Sequence, residues 1–371
     1  MSNTAIYTPE VLVPCEAPTR RSANASFARH AGLAITVGLL VVGQTSCLLA
    51  RDAAIAGAEF KPGELWTDTT GAPINAHGGG FLYQSNVYYW YGEIKSGKTW
   101  MPDCNRSWGG VRVATAGVAC YSSGDLYHWK PQGNVLPVVS DDPKSEIYKD
   151  NILERPRVIY NQDTRQYVMW LHVDTEDYSL AHAGVAVSSS PTGPFKYQGS
   201  FRPNGAMSRD LTVFVDDDRQ AYLFYTSENN DTMHICVLTE DYLKPTSRFV
   251  RVFEHRTMEA PAVFKHGGRY FLVASDCTGW APNAARAAVA DSIWGPWREL
   301  KNPCRGPEAE LTFRAQSTYV LPVKAGSDTC IFIADRWNPK DLPESRYVWL
   351  PLRFTPDGFE VVWQTSWTYL P

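Results

Sequence analysis

The sequence predicts an all-β chain, a five-bladed β-propeller forming one domain over residues 58–371, and two observations carry that reading. The first is self-similarity. Segments 79–93, 156–174, 211–229, 262–276 and 317–337 share one plan: a short aliphatic and aromatic run, a polar turn of Gly, Asn or Asp, then a second run rich in Tyr, Phe, Val and Trp. That is a hairpin signature, and its recurrence roughly every 50 residues is the mark of a propeller. The second is that the body shows no convincing helical periodicity, which favours a β array over an α/β fold. Between the hairpins, stretches such as Gly117-VACYSS and Ala183-GVAVSSS, and turns such as Ser190-PTGPF and Ser292-IWGPW, are assigned to the outer strands of the blades. The tail stretches Tyr347-VWLPLRF and Phe359-EVVW are expected to close the ring on the first blade, which would remove open edges.

Composition narrows the function. The 371 residues are 44% hydrophobic and 20% charged, an ordinary globular balance, but 13% are aromatic, including 13 Trp and 19 Tyr. A net charge of -4 provides no basic field, so nucleic acid is not an expected partner. Arg20, Arg21, Arg29 and His30 precede an apolar run from Ala31 to Val42. That run is shorter than the roughly 20 residues a spanning helix needs, so residues 1–57 read as an export signal and leader, and the mature chain should be secreted or periplasmic with no membrane span. Gln44-Thr45-Ser46-Cys47 loosely resembles a lipid-attachment site but lacks the usual apolar residue before the cysteine. Of eight cysteines, Cys15 and Cys47 fall in the leader. Zinc spacing is absent, so disulfides such as Cys104–Cys120 and Cys277–Cys304, or buried thiols, are expected instead. No spacing calls for a cofactor or catalytic metal, calcium on the axis is unargued, and a monomer is expected.

The chemistry should lie on the axis. A polar residue precedes each hairpin where a buried strand would want an apolar one: His77, Glu154, Asp210, Glu259 and Gln316. Because the innermost strands of a propeller all start near its axis, these five positions converge on one pocket. Carboxylates flanked by apolar residues, as in Ile152-LERPRV and Met258-EAPAV, are costly to bury unless something uses or pairs them. Desolvation raises a carboxyl pKa, which suits Glu259 to hold a proton as a general acid. The structural alternative is that Glu154 and Glu259 pair with Arg155, Arg157 or Arg209.

Taken together, His77-GGG, Tyr89-WYGE, Leu153-ERPRVIYN, Ser208-RDLTVFVDDD, Glu259-AP, Cys277-TGWAPN, Gln316-ST and Asp335-RWN resemble glycoside hydrolase family 43, and within it the exo-β-1,3-galactanase branch. The resemblance implies inverting, exo-acting hydrolysis that releases galactose from β-1,3-galactan or arabinogalactan. Glu259 would be the acid, Asp210 would orient it and tune its pKa, and Glu154 would bind sugar hydroxyls. The wider family keeps an aspartate base on the first blade, in an Ala-Asp-Pro type motif, where this chain has Ala76-His77-Gly78. The galactanase branch shares that departure and implies Gln316 as base, although a neutral amide is a poor one. His77 and Glu93 are the alternatives that ordinary chemistry offers, and either could instead hold neighbouring groups or bind a hydroxyl. Tyr178, Asn229, Thr278 and Trp280 complete the expected pocket, with Trp280 either stacking on sugar or packing between blades. Two other functions fit the same scaffold: an arabinofuranosidase or galactofuranosidase, and a carbohydrate-binding propeller without turnover.

Overall fold

The computed structural model describes residues 58–101, 110–323 and 329–369. The expected export leader, with Cys15 and Cys47, and Cys104 lie outside the described residues.

Five antiparallel sheets follow one another along the chain. Blade 1 is β1 (His77–Gln84), β2 (Val87–Trp100), β3 (Arg112–Ser123) and β4 (Lys130–Pro137). Blade 2 is β5 (Ile152–Asn161), β6 (Gln166–Asp174), β7 (His182–Ser188) and β8 (Lys196–Phe201). Blade 3 is β9 (Leu211–Val215), β10 (Ala221–Ser227), β11 (Thr232–Leu238) and β12 (Pro245–Val252). Blade 4 is β13 (Met258–His266), β14 (Arg269–Asp276), β15 (Arg286–Ala290) and β16 (Arg298–Leu300). A two-residue strand, β17 (Cys304–Arg305), then pairs in parallel with the outer edge of blade 5. Blade 5 is β18 (Gln316–Pro322), β19 (Cys330–Arg336), β20 (Arg346–Thr355) and β21 (Gly358–Val362). The inner strands β1, β5, β9, β13 and β18 touch in that order and then return to β1, which closes a five-bladed ring. No helix among the described residues is long and apolar enough to cross a membrane.

Each of the five sequence segments forms the inner hairpin of a blade. Gly117-VACYSS and Ala183-GVAVSSS are third strands, with β4 and β8 outside them. The expected closing strands do not pair with blade 1. They are β20 and β21, the third and fourth strands of blade 5, because β19 already offers β20 an antiparallel edge. Closure comes instead from the segment before β1. Phe60 exchanges backbone hydrogen bonds with Trp367 at 2.8 and 3.1 Å, and Tyr347 receives the N–H of Ala76 and donates to the carbonyl of Ile74, both at 3.0 Å. Trp349, fully buried, lies among Phe60, Trp66, Phe81, Trp90 and Trp129. Aromatic rings bury the most area per side chain, so this cluster seals the joint between the first and last blades. Of the expected disulfides, Cys277–Cys304 is not formed, and Cys104 of the other lies outside the described residues. Cys120 and Cys304 are buried thiols in β3 and β17, and Cys277 is a free thiol at the axial pocket.

Candidate active site

One backbone device, repeated from blade to blade, sets the site. Counting outward from the turn in blade 2, Asn161 faces Gln166 and Arg157 faces Trp170, so an unbroken ladder would set Glu154 opposite Val173. A bulge between Glu154 and Arg157 shifts the register by one, and Glu154 faces His172. The same shift falls between His77 and Gly80, Glu259 and Ala262, and Ser317 and Tyr319. In three of these bulges the residue after the site position has positive φ: Gly78 at 55°, Arg155 at 54° and Ala260 at 56°. A one-residue slip exchanges the faces of a strand, and a bulge re-aims a side chain locally. Blade 3 has no such shift, and Asp210 stands just before β9.

Two arginines on β5 tie the inner strands together beneath these ends. Arg155 donates to Gln316 Oε1 at 2.7 Å and to the Ser317 carbonyl at 3.3 Å, and forms an ion pair with Asp210 at 3.0 Å. Arg157 donates to the carbonyls of Gly78, Pro156 and Thr318 at 2.7–2.9 Å and to Thr212 Oγ1 at 3.2 Å. Burial and the neighbouring Arg155 push Arg157 down to about 9. A Cβ on Gly80 would come within 2.8 Å of the Arg157 side chain, which is one reason the His77-GGG run is glycine. Above this floor a cavity of about 260 Å³ is lined by residues of all five blades.

Glu259 enters it from blade 4. Its carboxyl accepts from Gln316 Nε2 at 2.9 Å and from Asn230 Nδ2 at 3.4 Å, and among the described residues no lysine or arginine is paired with it. Burial and the nearby Asp210 carboxylate push Glu259 up to about 8. Asp210 Oδ2 accepts the N–H of Ala260, the residue after Glu259, at 2.9 Å, so it is tied to the backbone that carries the acid. The Gln316 amide is fully engaged: Oε1 receives Arg155 and Trp337 Nε1 (2.9 Å), and Nε2 donates to Glu259 and Ser275 Oγ (3.0 Å).

The opposite wall holds two further carboxylates in opposite states. Burial would raise Glu154, but hydrogen bonding from His172 (3.3 Å) and the charges of Lys95 and Arg155 outweigh it and hold Glu154 at about 2. His172 bonds Asp174 on its other nitrogen at 2.9 Å, and the two carboxylates overcome burial to lift the imidazole to about 9. Tyr178 donates to the second oxygen of Glu154 at 3.0 Å. Glu93, on β2, is 2.6 Å from Lys95 Nζ, yet burial and the proximity of Glu154 push it up to about 7 despite that partner. Lys95 in turn lies 5.5 Å from the centres of both Trp280 and Trp337.

Of the residues picked out from sequence, Glu93, Glu154, Tyr178, Asp210, Asn229, Trp280, Glu259 and Gln316 line this pocket. Two do not. His77 is fully buried behind the wall, bonded to Asp335 at 3.2 Å and stacked on Tyr347, because the bulge after it turns the strand. Thr278 is exposed and bonds Ala281 and Asn283, both at 2.6 Å, shaping its own loop. Trp280 lines the pocket and packs edge-on against Trp337 of blade 5. Glu154 and Glu259 are not paired with the arginines suggested as partners. Arg209 instead holds the Tyr178 carbonyl and Asn229 at 3.1 and 3.3 Å. Sequence reasoning missed His172, Lys95, Asn230 and Trp337, and offered Arg155 only as an alternative partner for the two glutamates. Glu154, His172 and Asp210 place potential metal-ligand atoms within 4.8 Å of one another, but His172 is already spent on two carboxylates and Asp210 on Arg155.

A propeller with a raised carboxyl, a depressed carboxyl and two tryptophans around a blind axial pocket is the architecture of a glycoside hydrolase. The family model for Glycosyl hydrolases family 43 matches residues 82–359, and the chain belongs to that family. It is similar to a family 43 β-1,3-galactosidase solved with galactodeoxynojirimycin: 39% identity over 84% of this chain and 100% of that one, TM-score 0.78. It is also similar to the exo-β-1,3-galactanase of Phanerochaete chrysosporium solved with galactose, at 37% identity over 84% of this chain and 68% of that one, TM-score 0.74. A third is described as a putative exo-β-1,3-galactanase of Bifidobacterium bifidum, at 32% identity over 82% and 96%, TM-score 0.73. A search of curated proteins finds no match.

Proposed function

We propose that the protein is an exo-acting, inverting β-1,3-galactosidase that releases galactose from the non-reducing ends of β-1,3-galactan and arabinogalactan chains. The observation that carries this is the blind pocket: about 260 Å³ above an arginine floor, it is small among ligand sites and suits a chain end rather than a length of polymer. The galactose-type ligands of the similar structures support the choice of sugar. Glu259 protonates the departing oxygen, for which a pKa lifted to about 8 keeps the carboxyl protonated and neutral at neutral pH. Asp210 positions it through Ala260, and Glu154, Tyr178 and Asn229 bind sugar hydroxyls. Residues 1–57 act as the export leader, placing the enzyme outside the cytoplasm.

The test is release of sugar by the purified protein from β-1,3-galactan, arabinogalactan, and aryl arabinofuranosides and galactofuranosides, beside Glu259→Gln. Galactose from galactan, lost in the variant, is expected. Furanoside cleavage would reassign the substrate, and binding of galactan with no release would make the protein a lectin-like propeller.

A further inference from the structure

We propose that Trp100 is a stacking platform for the leaving part of the substrate, holding galactose units of a β-1,3-galactan chain that stand outside the pocket. This rests on the galactan-end reading given above.

A chain end bound in a blind pocket leaves the rest of its polymer at the mouth, so the rim is where the sugars beyond the scissile bond must lie. On the blade 1 side that rim is a two-stranded ribbon. The pairing of β1 with β2 ends at His77 opposite Glu93, and β2 and β3 run on past it as residues 94–100 and 112–116. One face of the ribbon is buried. Lys95 lies beside Trp280 and Trp337, and Val111 and Val113 pack with Leu342 against the same two rings. Trp280 Nε1 donates to the Val111 carbonyl at 2.8 Å, and Thr99 Oγ1 accepts the N–H of Leu342 at the same distance. Because Trp280 and Trp337 line the pocket, the ribbon is fixed to its lip.

The other face carries Arg112 and Trp100. Continuing the ladder from Ser96 opposite Ala114 would set Lys98 against Arg112, and like charges directly opposite are destabilising. Two extra residues in β2 shift the register, and Trp100 faces Arg112 instead. The Arg112 guanidinium lies 4.5 Å from the centre of the indole and pairs with Glu176 at 2.5 Å. Glu176 belongs to the blade 2 loop, residues 175–181, that also supplies Tyr178 to the pocket, so this face is tied to a second part of the rim. The indole is thus held from one side by a cation that is itself anchored, while Trp100 remains 49% exposed. Among the described residues it is the one tryptophan in the exposed class, the others being buried or half-buried. A galactopyranose has an apolar C–H face that stacks on such a ring while its hydroxyls stay in water, and a ring already fixed in place loses little freedom on binding it.

The experiment measures kcat and KM for wild type, Trp100→Ala and Trp100→Phe on β-galactosyl fluoride, whose leaving group is too small to reach the rim, and on β-1,3-galactotriose and β-1,3-galactan. Released galactose is followed by chromatography, and melting curves confirm folding. Expected for Trp100→Ala is a rise in KM of about five- to twenty-fold on galactotriose and galactan with kcat little changed, and no change in either constant on the fluoride. Trp100→Phe keeps a ring and should keep most of the wild-type KM. A loss in Trp100→Ala that is equal on fluoride and galactan would make Trp100 a structural residue and overturn the proposal, as would a galactan KM that stays at the wild-type value. In both cases the galactan reading stands. A wild type that frees no galactose from galactotriose or galactan overturns that reading, and this proposal with it.

Discussion

Replacing His172 with glutamine removes a buried positive charge while leaving an amide able to reach Asp174. The imidazole is 1% exposed and its partners Asp174 and Glu154 are buried or nearly so, so solvent screening does little to soften the loss. A pKa raised from 6.5 to about 9 corresponds to roughly 3 kcal/mol, and breaking a buried pair by removing one partner typically costs about 3–5 kcal/mol. The direction with pH follows from the sign of the shift. A raised folded-state pKa gives stability that is full below pH 6.5 and is lost as pH climbs through about 9. Glu154, lowered from 4.5 to about 2, gives stability that is full above pH 4.5 and is lost as pH falls toward 2. The gap between wild type and His172→Gln should therefore be widest near pH 5–6.5, where a fall in Tm of about 5–10 °C is expected, and should narrow by pH 9.5 and again by pH 3. Thermal or denaturant melts across that range check it. A gap that stays constant from pH 6 to 9.5 would mean that His172 is neutral and contributes only by packing, refuting the charged relay.

Other outcomes follow from the same geometry. With Glu259 as the proposed acid, kcat/KM should fall as pH rises through about 8, and Asp210→Asn, by removing the carboxylate that helps raise it, should move that limb to lower pH in a pH–rate profile. Gly78→Ala places a Cβ 2.4 Å from Glu93 Oε1 at a φ of 55°, so it should cost about 1–2 kcal/mol in melts and lower kcat by more than that stability loss explains. Trp349→Ala empties the seam between blades 5 and 1 and should cost about 3–5 kcal/mol in denaturant melts, with the KM of the surviving folded enzyme unchanged.

How far the sequence reached differs between fold and site. The five hairpins were legible because alternating apolar residues and polar turns are local signals, and their repetition named the propeller before any contact was known. The five polar positions were legible for a related reason: each breaks the apolar pattern at the start of an inner strand, and symmetry alone brings such positions together. Closure was not. Tyr347-VWLPLRF and Phe359-EVVW read as strands, but which edge they join depends on β19 being nearer than blade 1. His172 and Glu93 were hidden or left undecided for a sharper reason. Counting from the turns sets Glu154 against Val173 and His77 against Ile94, and only the bulges bring His172 and Glu93 into place. Side-chain charge was legible only for Glu259, whose apolar flanks predict the raised carboxyl that burial produces at about 8; Glu93 and Glu154, the same residue type, are held at about 7 and 2 by partners the sequence did not place. The sequence by itself determined the ring of blades and the polar side chains on its axis. Tertiary structure decided how far each of those carboxyls departs from its ordinary pKa, because that depends on burial and on charges brought from other blades by one-residue shifts of register.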